Sequence, residues 1–180
     1  MDAATELTAS ANTNARSWNG GKVGLFAGVL MFVVALDYGT KILIERKFHL
    51  YEQMNVIGDY VRLTYIYNPG AAFGIHLGTY SRYIFLVLSL VALVALAGMY
   101  WVTPARDRVR LSAIALICAG AIGNLLDRIR SDSGVVDFLD VGFRDLRWPV
   151  FNVADIAVTT GAILLALSLW REERRPGSAP

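Results

Sequence analysis

Four stretches of this chain, at about 23–44, 83–102, 111–126 and 150–170, are long and apolar enough to cross a bilayer. No other feature restricts the possible folds as much. A helix rises about 1.5 Å per residue, so roughly twenty residues cover about 30 Å of hydrocarbon. In that medium the backbone must satisfy its own hydrogen bonds, which makes these stretches helices. The third is short and is expected to continue through Asp127. Composition agrees: 55% of residues are hydrophobic and 18% charged, against about 25% charged in a soluble domain. The formal charge of +2, spread singly or in short groups, argues against a nucleic-acid partner. Cys118 stands alone in an apolar run, so it reads as a small buried hydrophobe and not as half of a disulfide.

Residues 1–21 are polar, small and glycine-ended, a disordered leader. Residues 22–171 form the four-helix membrane domain and 172–180 a short tail. The first apolar run is too long for a signal-peptide core and no A-x-A site follows it, so it is a retained helix. Four spans put both termini on one side. Basic residues divide almost evenly between the two sides, but Arg106, Arg108 and Arg110 crowd one short turn, and Arg171, Arg174 and Arg175 follow the last span directly. That density makes the termini cytoplasmic. The 45–80 connection is more ordered than a linker. Residues 55–57 and 60–65 read as two strands about the Gly58-Asp59 turn, with Val61, Leu63, Tyr65 and Tyr67 on one apolar face lying on the membrane surface. The expected class is an all-α membrane protein with a small β-sheet and a second loop on the same side.

Two aspartates stand at the rims of apolar helices: Asp137 in GVVDF after the third span, and Asp155 in FNVAD at the start of the fourth. An ionisable group in that position marks a functional site, because burying charge in hydrocarbon costs kilocalories. Two carboxylates that converge can share one proton, one acting as base on water and the other as acid toward a carbonyl oxygen. On the fourth helix Asn152, Asp155 and Thr159 fall on one face, which should line the bundle interior. On the third, Gly120, Gly123, Asn124 and Asp127 share a face whose small residues admit a neighbouring backbone. Asp37 and Lys41, four apart, can pair along the first helix, and Lys41 can also snorkel to the interface. Asp127 and Arg128 point apart and seek separate partners. His49 and His76 have no metal-ligand spacing and read as surface loop residues; no metal or cofactor is expected. G-x-S-x-G, H-E-x-x-H and phosphate-loop motifs do not occur. The carboxylate pair remains as the engine of a membrane aspartyl peptidase.

Five motifs, LDYGTK (36–41), YNPGAAF (67–73), GNLLDR (123–128), VVDF (135–138) and FNVAD (151–155), together resemble the bacterial lipoprotein signal peptidases, or signal peptidase II, in that family's order. The resemblance implies a multi-pass inner-membrane enzyme with a periplasmic sheet. Such an enzyme cuts diacylglyceryl-modified prolipoproteins just before the lipidated cysteine and needs no cofactor. It implies Asp137 and Asp155 as the catalytic dyad, with Asp37, Asn68, Asn124, Arg128 and Asn152 in supporting roles. Gly70, with Ala71 and Ala72, would let a substrate backbone come close, and Phe73 would anchor in the interface. The expected partners are prolipoproteins and membrane lipids, and the expected state is a monomer. Departures from the pattern are the polar leader and a slightly long 129–134 stretch. Two rivals belong to other classes: a proton or ion pathway using Asp37, Asp127, Asp137 and Asp155 as relays, and a membrane scaffold presenting the 45–80 region.

Overall fold

The computed structural model describes residues 20–72, 75–76 and 80–174, with backbone alone at 71–72 and 75–76. The leader through residue 19, Phe73, the side chain of His76 and the tail from residue 175 lie outside the described residues. Among the described residues, four helices are long and apolar enough to cross a membrane: α1 (Gly20–Lys47), α2 (Ser81–Val102), α3 (Arg108–Arg130) and α4 (Val153–Glu173). Each of the four expected spans is present. The third continues as foreseen, reaching Arg130, and the fourth starts three residues late because Asn152 is its N-cap.

Small residues set the packing. A Cβ on Gly120 would fall 2.3 Å from the carbonyl oxygen of Ala154, and one on Gly161 2.8 Å from that of Ala113. Helices α3 and α4 therefore touch backbone to backbone, as apolar helices do when dispersion and not water drives their association. This contact fixes the rotation of α4: Ala154, Ala157 and Gly161 face inward, while Thr159 is exposed. Thr159 thus does not share the interior face expected for it. The Lys22 ammonium donates to the carbonyls of Tyr100 and Thr103, and Arg110 pairs with Glu172. The start of α1, the α2–α3 turn and the end of α4 therefore share one end of the bundle.

A four-stranded antiparallel sheet occupies the other end, in the order β1 (Gln53–Ile57), β2 (Val61–Asn68), β5 (Val135–Phe143), β6 (Leu146–Arg147). A separate two-stranded ladder pairs β3 (Ala71–Ala72) with β4 (Ile75–His76). The β1–β2 hairpin is as expected, with Gly58 at φ +50° in its turn. Its apolar face, through Leu63, Tyr65 and Tyr67, packs with Val136 and Phe138 against Ile44 and Phe48 at the end of α1. Residues 135–143, expected as loop, form the longest strand. Val135-Val136-Asp137-Phe138 is rich in β-formers, but its partner, β2, lies far back in the sequence. A bulge between Leu63 and Ile66 shifts the pairing and leaves Ile66 opposite Asp137. Asp137 consequently projects from a strand, and not from a helix rim as expected.

Candidate active site

Backbone geometry brings the two aspartates together. Phe151 exchanges hydrogen bonds with Leu139, its N–H donating at 3.0 Å and its carbonyl accepting at 2.8 Å. The chain thus leaves the sheet edge and enters α4 directly, placing Asn152 beside Asp137. A reciprocal capping box then starts α4. Asn152 Oδ1 accepts from the Asp155 N–H at 2.9 Å, and Asp155 Oδ2 accepts from the Asn152 N–H at 3.1 Å. Each bond satisfies an N–H that would otherwise be orphaned at the helix start.

Three asparagines hold the carboxylates, and the far side of each amide fixes which way it points. Asn68 Oδ1 accepts from the Gly70 N–H at 3.0 Å, so its Nδ2 donates to Asp137 Oδ2 at 3.0 Å. Asn152, its oxygen occupied by the cap, donates Nδ2 to Asp137 Oδ1 at 2.7 Å. Asn124 Oδ1 accepts from Lys41 Nζ and from Asn152 Nδ2, both at 3.0 Å, which leaves its Nδ2 to donate to Asp155 Oδ1 at 2.8 Å. Gly70 is required where it stands. Its φ is +111°, and a Cβ would lie 2.9 Å from the Phe85 ring. Gly134, which sequence reasoning passed over, is as constrained: at φ +110° a Cβ would meet the Asn68 carbonyl oxygen at 2.2 Å.

Asp137 is 1% exposed. Burial pushes its carboxyl up to about 7; the Asp155 charge adds to the rise, while hydrogen bonds from Asn68 and Asn152 pull against it. Asp155 stands in the first turn of α4 with N–H donors on both oxygens. Both aspartates line one cavity of about 540 Å³, together with Asn68, Gly70, Asn124 and Arg128. Leu88, Ala92, Ile117 and Val158 extend the same cavity as an apolar slot between helices. The Arg128 guanidinium lies 5.5 Å from the Phe85 ring centroid, and its Nη1 donates to the Asn124 carbonyl at 3.1 Å. Asp127 turns the other way, as expected, accepting from the Val136 N–H at 3.2 Å.

Asp37 lies outside the cavity, behind the two aspartates: its Oδ1 accepts from the Ala154 N–H at 2.8 Å, pinning the start of α4 to α1. Lys41 does pair with Asp37, at 2.8 Å. It does not snorkel: it is fully buried, with a second carboxylate, Asp127, 2.9 Å away. Asn124 and Asp127 arrive from far along the chain, which is why the local pattern of α1 hid this. His49 is exposed, in the turn after α1, and no group of three metal-ligating side chains occurs among the described residues.

Comparison with known proteins gives a consistent picture. A family model described as Signal peptidase (SPase) II matches residues 29–171. A lipoprotein signal peptidase of Geobacter sulfurreducens is 41% identical over 152 residues, spanning 84% of this chain and 94% of its own. One of Halothermothrix orenii is 45% identical over 146 residues, spanning 81% and 95%. A bacterial membrane enzyme solved by the in meso method at 2.3 Å resolution superposes with a TM-score of 0.78 at 30% identity, covering 88% of this chain and 94% of that one.

Proposed function

The chain belongs to the signal peptidase II family and is a peptidase of lipoprotein precursors; we propose that it works as an aspartyl endopeptidase with Asp137 and Asp155 as its dyad. Asp155 takes a proton from water as the water attacks the scissile carbonyl. Asp137 donates its proton to the carbonyl oxygen. As the tetrahedral intermediate collapses, Asp155 passes the proton it took from water to the leaving amine, and Asp137 regains its own from the hydroxyl that becomes the carbonyl. Asn68, Asn124 and Asn152 hold the two carboxylates in place, Asp37 ties α4 to α1 behind them, and Arg128 offers a cation to the substrate backbone. The observation that carries this reading is that both carboxylates line one cavity whose remaining walls are largely apolar.

The substrate is a diacylglyceryl-modified prolipoprotein, cut just before the lipidated cysteine. Its acyl chains lie along the slot of Leu88, Ala92, Ile117 and Val158 and continue into lipid. Each CH₂ so buried contributes about 0.8 kcal/mol, so the chains hold the scissile bond at the rim while Gly70 lets the peptide backbone come close. The enzyme sits in the inner membrane as a monomer, with both termini cytoplasmic and the sheet and dyad on the periplasmic side. A relay of protons would need acids spread along the bundle, whereas these gather at its sheet end. Cleavage by purified protein of matched precursors, with and without the diacylglyceryl group, tests the substrate. The lipidated form should be processed at least tenfold faster, and equal rates would refute lipid docking.

A further inference from the structure

We propose that Lys41 is a positioning residue for the reaction: its ammonium fixes the amide of Asn124 so that an N–H, and not a carbonyl, faces Asp155. The proposal rests on the dyad reading above and adds to it a residue that does not line the cavity. Lys41 Nζ stands 2.8 Å from Asp37 Oδ2 and 2.9 Å from Asp127 Oδ2, and it donates to Asn124 Oδ1 at 3.0 Å. Three oxygens therefore lie within 3.0 Å of the ammonium, and the side chain is completely buried.

The charged groups facing this amide come from every element around it. Asp37 lies on α1, Asp127 and Arg128 on α3, Asp137 on β5 and Asp155 on α4, while Arg130 shares Asp127 with Lys41 at 3.2 Å. A primary amide is nearly symmetric in shape, so only its partners decide which end is oxygen. Next to a carboxylate, the wrong orientation sets two acceptors face to face. Asn152 Nδ2 also points at Asn124 Oδ1, but it is shared with Asp137 Oδ1 and the Val136 carbonyl. Lys41 is the donor that cannot reverse, since an ammonium accepts nothing. The two aspartates that hold Lys41 thereby act on Asp155 through it, although neither hydrogen bonds to the dyad.

Lys41→Met alone strands Asp37 and Asp127 as buried carboxylates, so the informative variant is the neutral one, Lys41→Met with Asp37→Asn and Asp127→Asn. Folded protein is counted by its monodisperse peak in detergent, and turnover of a diacylglyceryl-modified precursor is taken per folded molecule. We expect kcat to fall at least tenfold with KM within threefold. Asn124→Ala should cause a similar loss in the parent and almost none further in the neutral variant, because both changes act on one amide. Parent kcat in the folded neutral variant, losses that multiply, or failure of the neutral variant to fold would each overturn the proposal. Asp137→Asn, assayed alongside, separates the two ideas: full activity there would refute the dyad itself, whereas an inactive Asp137→Asn with an additive cycle would refute only the role of Lys41.

Discussion

Asn152 and Asp155 accept each other's backbone N–H, at 2.9 and 3.1 Å, so a proposed catalytic carboxylate is also part of the device that starts its own helix. The same Asn152 amide reaches Asp137 at 2.7 Å. One side chain thus couples the helix cap to both members of the pair. Of these bonds, Asn152→Ala removes the two made by the side chain, to the Asp155 N–H and to Asp137, and leaves only the one from its own backbone N–H to Asp155. It should lower stability by about 1 kcal/mol, as other lost caps do, and reduce kcat by at least tenfold. Thermal melting and turnover per folded molecule check the two effects separately.

The carboxyl of Asp137, pushed up to about 7, has consequences of defined sign. As the proton donor it must be neutral, so kcat should fall as pH rises through about 7. In the unfolded chain its value is the ordinary 3.8, so between these two values the folded state holds a proton that the unfolded state has lost. Its contribution to stability is therefore fully present below about 4, is lost as pH rises toward 7, and is constant above that. Asp137→Asn should flatten this part of the curve of melting temperature against pH.

Gly134 and Gly123 are close-approach positions that serve the site without chemistry. Gly134→Ala would drive a Cβ into the Asn68 carbonyl oxygen from a backbone conformation that itself costs an L residue about 1–3 kcal/mol. It should displace Asn68 from Asp137 and sharply reduce the yield of folded protein. A Cβ on Gly123 would stand 2.4 Å from Asp37 Oδ2. Gly123→Ala should therefore push α1 away from α3 and lower the melting temperature. Wild-type melting in either variant would contradict these roles.

Topology is open to labelling. In a Cys118→Ala background, a cysteine placed in the 106–110 turn should resist a membrane-impermeant reagent in intact cells, while one placed beside Gly58 should react. The opposite pattern would place the dyad on the cytoplasmic side.

The helices were legible because length and apolarity alone fix them, and the β1–β2 hairpin because its turn and alternation are local. Three features were not. Strand β5 depends on pairing with β2, so residues 135–143 carry no nearby partner to announce it. Thr159 matched the helical period of Asp155, but the rotation of α4 is set by Gly120 and Gly161 pressing on backbone, which sends Thr159 outward. Lys41 had a visible partner in Asp37; its burial follows from Asp127 and Asn124, which only the packing of α3 on α1 delivers. The two aspartates of the proposed dyad were legible as acids at the rims of apolar segments, but the asparagine geometry that links them was not.

The most direct test of the central claim is turnover of a diacylglyceryl-modified prolipoprotein by purified Asp137→Asn and Asp155→Asn proteins, each matched to the parent for folded protein. Asparagine keeps the shape of the side chain but can neither give up nor take the catalytic proton. Both variants should remain monodisperse and lose cleavage by at least a thousandfold. Near-parent turnover in either one would contradict the assignment of the pair.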